Sequence, residues 1–217
     1  MNFSDLKIST RLILGFGMLA LLIALMGGIA LVKTNVVDGD VVKLVNDRIP
    51  KVITLFEIKG ELNNVARATR NMVIRVDPAE IKREIAGIEE ARKQIGDRLQ
   101  KLGAEVKSDA GKAILARIIE NRVSYVAAQG KFIDLVNADK VDEAKTLLLG
   151  DMYAGQKSYF AALDDMIKFQ DTQMDASASD AHGAVAGMKL MITIAMAFAV
   201  VAAVLMGLWI ILSLIHI

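Results

Sequence analysis

The chain has 217 residues, with 26 Lys and Arg against 25 Asp and Glu and a formal net charge of +1. That balance excludes a broadly basic nucleic-acid-binding surface. The absence of cysteine excludes a disulfide framework and a thiolate metal site.

The chain opens with "MNFSDLKISTR", where Lys7 and Arg11 outweigh Asp5. The next stretch, "LILGFGMLALLIALMGGIALV" from Leu12 to Val32, carries no charge. A membrane-spanning helix needs roughly 20 apolar residues, whereas the apolar region of a cleaved signal is about 7–15 long. The length predicts a retained anchor, against the alternative of cleavage near Gly27, Gly28 and Ala30. A second uncharged run, Leu190 to Ile217, supports the anchor, because a secreted protein has no need of it. The basic flank before the first run places the N-terminus on the cytoplasmic side. The expected layout is therefore residues 1–11 inside, spans at 12–32 and 190–217, and a domain of residues 33–189 outside.

Four helices are predicted in that domain. The first continues from the first span, with Ile49, Val52, Ile53 and Phe56 at helical spacing. Pro50 demands a kink or a local irregularity there. "DPAE" restarts the chain, with Asp77 as N-cap, Pro78 at the first helical position and Glu80 following. The second helix has the most regular seam: Ile81, Ile85, Ile88, Ala91, Ile95, Leu99, Leu102 and Val106 step by three or four. Arg92 reads as a charged position outside that seam. The chain breaks near Ser108. A third helix carries Leu115, Ile119, Val123, Val126, Ile133 and Val136 and ends at "NADK". The fourth carries Leu148, Met152, Gly155, Tyr159, Ala162, Met166, Phe169 and Gln173, and runs on into the second span. The fold class is all-α, an up-down antiparallel four-helix bundle flanked by two transmembrane helices.

No catalytic constellation is present. The two histidines, His182 and His216, stand far apart, and no metalloprotease, nucleophile-elbow or phosphate-loop motif occurs. The expectation is a protein that is not an enzyme and uses no metal or cofactor. The third helix is more informative. Arg122 and Gln129 fall inside its apolar stripe, with Tyr125 at the edge. A charge facing a core is costly unless it is paired. One reading is an arginine paired with a carboxylate of a neighbouring helix. The other is a small polar pocket for an anion, since an Arg fork and a phenol suit a carboxylate. The end of the first helix, "NNVARATRNMVIR", adds Arg67, Arg70 and Arg75 without an intervening acid. Solvated surface charge explains them; so does a funnel for a negative ligand.

These residues together resemble the N-terminal part of a bacterial methyl-accepting chemotaxis receptor. The resemblance rests on the opening "MNFSDLKISTRLILGFGMLALLIALMGGIALV", on "NDRIPKV" and "ARATRNMVIRVDP", and on "NRVSYVAAQGKFIDLVNADKVDEAKTLLLGDM". It implies an inner-membrane receptor with a periplasmic four-helix bundle that dimerises along its first helix and binds a small ligand, an organic acid or an amino acid. In relatives that sense organic acids, arginines of the first and third helices contact the ligand, which makes Arg67, Arg70, Arg122 and Tyr125 the matching candidates. Such receptors continue into a HAMP linker and a cytoplasmic coiled coil that engages a kinase complex. This chain is expected to stop ahead of both, so it would sense without reaching the kinase by itself. Two alternatives remain open at this stage: the sensor portion of a histidine kinase or cyclic-dinucleotide enzyme, and a membrane protein in which Arg122 is a buried ion pair.

Overall fold

The computed structural model describes residues 8–74 and 77–215. The expectations placed on Lys7, Arg75 and His216 fall outside those residues. Among the described residues the chain is helical: α1 (Ile8–Lys43), α2 (Ile49–Ile74), α3 (Pro78–Glu105), α4 (Asp109–Asn137), the short α5 (Val141–Leu147) and α6 (Tyr153–Ile215). The chain divides into two compact units. One holds residues up to Leu44 together with those from Asp175, and the other spans Val45–Met174.

The first unit contains the two apolar runs. Two helices are long and apolar enough to cross a membrane, and their most apolar windows are only 6% and 0% buried by protein. A core helix of a soluble domain would be covered instead. Within this unit Gly15 lies against the sulfur of Met206, a close approach that a side chain at position 15 would obstruct.

The second unit is a bundle of α2, α3, α4 and the part of α6 before Asp175. Side-chain pairs give the direction of each helix. Glu57 pairs with Arg98 and Asn71 with Glu84, so α3 runs antiparallel to α2. Arg92 meets Gln129 while Gly96 lies beside Arg122, which sets α4 antiparallel to α3. Arg117 reaches Asp165 and Tyr125 stacks near Tyr159, so α6 runs antiparallel to α4. Lys59 of α2 pairs with Asp164 of α6 and closes the ring.

Local sequence explains each boundary. The irregularity required by Pro50 is a π-helical turn, Leu44–Arg48, immediately before α2. Proline has no N–H to donate, so the ladder is already broken there. Asp77 caps α3 by accepting from the Ala79 amide at 2.9 Å, with Pro78 at the first position. Ser108 caps α4 by accepting from the Gly111 amide at 3.2 Å. That helix ends in a Schellman arrangement: Lys140 N–H donates to the Leu135 carbonyl at 2.9 Å and Asp139 N–H to Val136 at 3.1 Å. Asp139 takes the left-handed conformation, φ 54°, which aspartate tolerates better than most residues.

Two expectations are corrected here. The fourth helix does not begin as one continuous element. After α5 comes a π-helical turn, Leu148–Met152, with helical geometry interrupted at Gly150 (φ −96°, ψ −105°); α6 starts only at Tyr153. The inner face of α4 is also rotated from the expected stripe. Ile119 and Val123 are 45% and 63% exposed. The buried seam is Leu115, Ile118, Tyr125, Gln129, Phe132 and Val136. Leu55, Ile58, Leu62, Ile88, Leu102, Phe132, Leu163 and Met166 form the centre of the core, each essentially inaccessible.

Candidate functional site

The rotated face of α4 turns polar side chains toward the middle of the bundle. Tyr125 is 2% exposed and Gln129 1%, and Arg122, between Ile118 and Tyr125, is half-buried. Arg122 donates to the backbone carbonyl of Arg92 at 3.2 Å. It passes over Gly96, where an added Cβ would come within 3.2 Å of the guanidinium. Glycine there leaves the room that the arginine uses.

Arg92 enters from α3, next to Ala91 in the buried seam. Its Nε donates to Gln129 Oε1 at 2.8 Å, and a terminal nitrogen reaches the Val126 carbonyl at 3.5 Å. From α6 comes Tyr159, 1% exposed, whose ring lies 6.3 Å from that of Tyr125 at a 59° tilt. Neither phenol hydroxyl has a hydrogen-bond partner among the described residues. Arg70 of α2 donates its Nε to the Ala66 carbonyl at 2.9 Å, close enough for its charge to act on Tyr125. Helices α3, α4 and α6 thus contribute to one polar layer, with the exposed Arg70 of α2 outside it.

Electrostatics follow from burial. Desolvation pushes the Tyr125 phenol up, opposed by the Gln129 side chain and by the charges of Arg70 and Arg92. Burial likewise pushes Tyr159 well above the usual phenol range, opposed by Arg122. Arg92 is held below the usual guanidinium value, chiefly by desolvation with a further push from Arg122. Glu89 opposes that shift but forms no ion pair with it; among the described residues, none of Arg70, Arg92 and Arg122 has a carboxylate within ion-pair distance. The buried-ion-pair reading of Arg122 therefore lacks its second charge.

An unpaired buried hydroxyl costs about 1–3 kcal/mol and a desolvated cation more. Tyr125→Phe and Tyr159→Phe, each removing one such hydroxyl, should stabilise the ligand-free chain by about 1 kcal/mol. Thermal denaturation of the full chain in detergent reads this directly. A loss of stability in both variants would mean that the hydroxyls have partners.

The structure brings together Arg122, Tyr125 and Gln129. Arg67 and Arg70 are not part of the group: both are exposed on α2, where Arg67 donates to Asn64 at 3.3 Å and Arg70 to the Ala66 carbonyl. Two members of the cluster escape the sequence reading. Arg92 is held against Gln129 rather than standing as a detached surface charge. Tyr159 lies on the expected apolar stripe, where its ring fits the pattern and its hydroxyl leaves no periodic trace.

No curated protein matches the chain. A family model does: the four helix bundle sensory module for signal transduction, over residues 5–183. An all-α bundle in a chain with two span-length apolar helices agrees with that description. The chain belongs to the family of four-helix-bundle sensory modules for signal transduction.

Proposed function

We propose that this chain is the sensory and membrane portion of a bacterial chemoreceptor, whose bundle binds a small organic acid outside the cytoplasm. The observation that carries the reading is the polar layer: the guanidinium groups of Arg92 and Arg122, without carboxylate partners among the described residues, beside two buried phenol hydroxyls that have no hydrogen-bond partner there. A carboxylate offers two acceptor oxygens to such a group, and charge-assisted bonds of this kind are the strong ones. The role is recognition without catalysis. The apolar helices cross the inner membrane, with the bundle in the periplasm.

Ile49, Ile53 and Phe56, at helical spacing on α2, are 41%, 53% and 56% exposed. A second copy of the chain, packed in parallel along α2, would cover them. Binding in the polar layer would shift α6 relative to its neighbours. Because α6 continues without interruption to Ile215, such a shift has a direct route to the second apolar run.

Calorimetric titration of the full chain in detergent with acetate, succinate and malate tests the ligand class. Arg122→Ala should weaken binding by about tenfold or more, the loss of one charge-assisted contact worth about 1.5–3 kcal/mol. Arg67→Ala, away from the layer, should leave it unchanged. Equal affinities for the two variants, or no binding of any of the three acids, would contradict the proposal.

A further inference from the structure

In the unit that holds the two apolar runs, a cavity of about 500 Å³ opens between α1 and α6. Ala24 and Gly28, one turn apart on α1, form its floor, with Leu25, Ile29 and Val32 beside them and Met191 on the α6 side. The space over the floor is open, since a Cβ added at Gly28 would meet nothing within 4 Å. Lys33 marks the mouth. It is half-buried against the groove and forms no ion pair among the described residues. Gly15 meets Met206, while Met191 shares the cavity with residues 24–33, so α1 and α6 run antiparallel. Lys189, two residues before Met191, therefore lies toward the same end as Lys33. It is exposed, and it too has no ion pair among the described residues.

Both lysines stand at the ends of the uncharged runs that face the bundle in the chain. The nearest acids on that side, Asp38 and Asp180, lie five and nine residues further from the runs. A lysine so placed keeps its stem on apolar surface and its ammonium among lipid headgroups. From Ala24 to Lys33 is nine residues, about 14 Å along the helix axis. That is about half of a hydrocarbon core roughly 30 Å thick, the depth of one leaflet. We propose that the groove holds an anionic phospholipid of that leaflet, an acyl chain lying on Ala24 and Gly28 and the phosphate between Lys33 and Lys189. A choline or ethanolamine headgroup would bring a cation of its own to the two lysines; a headgroup with an uncompensated phosphate does not. A second copy in the groove would set its own Lys33 and Lys189 at the same depth, where no acid balances them. The proposal rests on the membrane-spanning reading of the two runs and is independent of any ligand in the bundle. With the bundle in the periplasm, the leaflet is the outer one.

Native mass spectrometry of the full chain in detergent tests this, after incubation with dioleoylphosphatidylglycerol or dioleoylphosphatidylcholine. The two lipids differ only in the headgroup. The anionic lipid should be retained about tenfold or more over the choline lipid, each lysine contributing roughly fivefold. Lys33→Gln and Lys189→Gln should each lower that preference about fivefold. Lys43→Gln, whose lysine is paired with Asp40, should leave it unchanged. Gly28→Leu fills the floor, keeps both charges and should abolish retention. Equal retention of the two lipids, a preference that survives both lysine substitutions, or Gly28→Leu without effect would overturn the proposal. So would a dimer that Gly28→Leu dissociates while lipid retention stays the same, because the groove would then hold a second copy. A chain that stays in solution without detergent would overturn the spanning reading along with it.

Discussion

Replacing Arg92 and Arg122 together by alanine should reduce carboxylate affinity by at least about a hundredfold, which takes even millimolar binding out of measurable range. On the proposed reading each guanidinium would contribute a charge-assisted contact worth about 1.5–3 kcal/mol, and two such losses exceed about 3 kcal/mol. The two residues touch each other through the Arg92 carbonyl, so their effects need not add. The double variant avoids that difficulty by removing the unit as a whole. Folding gives a separate readout. Arg92→Ala strips Gln129 Oε1, almost fully buried, of the one donor it has among the described residues, so some stability is lost for reasons unrelated to ligand. Calorimetry on the fraction that remains folded, as judged by circular dichroism, separates the two. Undiminished carboxylate binding by that fraction would place the ligand elsewhere.

Phe132→Ala should be the most destabilising single change in α4, costing about 3–5 kcal/mol. Phe132 has no accessible surface, and truncation leaves a cavity between helices that cannot close up without disturbing their spacing. A loss of this size is a large fraction of the roughly 5–15 kcal/mol that holds a domain folded. Val123→Ala, at a site 63% exposed, should stay within about 0.5 kcal/mol. Urea denaturation of both variants in one detergent compares them directly. If Val123→Ala proved as costly as Phe132→Ala, the face assigned to the core would be wrong.

This pair of substitutions also shows where the sequence could be read and where it misled. The caps were legible because they are local: Asp77 before Pro78 needs only its own neighbours to start a helix. The seam of α3 was legible because Ile88, Ala91, Ile95, Leu99 and Leu102 are apolar without interruption. The same test applied to α4 selected Ile119 and Val123, since an apolar count favours them over Arg122 and Gln129. The protein buries the other face and accepts the polar side chains on it. Periodicity measures apolar content, so it turns away from a core face that carries polar side chains. It sees a tyrosine ring as core and ignores the hydroxyl, which is why Tyr159 passed unnoticed. The break at Gly150 was hidden for a related reason. Leu148 and Met152 keep helical spacing across it, and a single glycine in an otherwise helical pattern carries no mark of the turn it makes.

The polar layer has one more consequence, which concerns sliding. The seam of α3 repeats at three- and four-residue intervals with aliphatic side chains, so moving α4 past it by seven residues would exchange Ile88 for Ile95, or Ile95 for Leu102, at little cost. Only at the layer is the exchange forbidden. The slipped pairing would separate Arg92 from Gln129 and carry Arg122 away from the clearance at Gly96. A polar residue at a single inward position fixes alignment in coiled coils in the same way, at some expense in stability. Arg92, Arg122 and Gln129 act here as the index mark that tells otherwise interchangeable helical turns which neighbour is theirs.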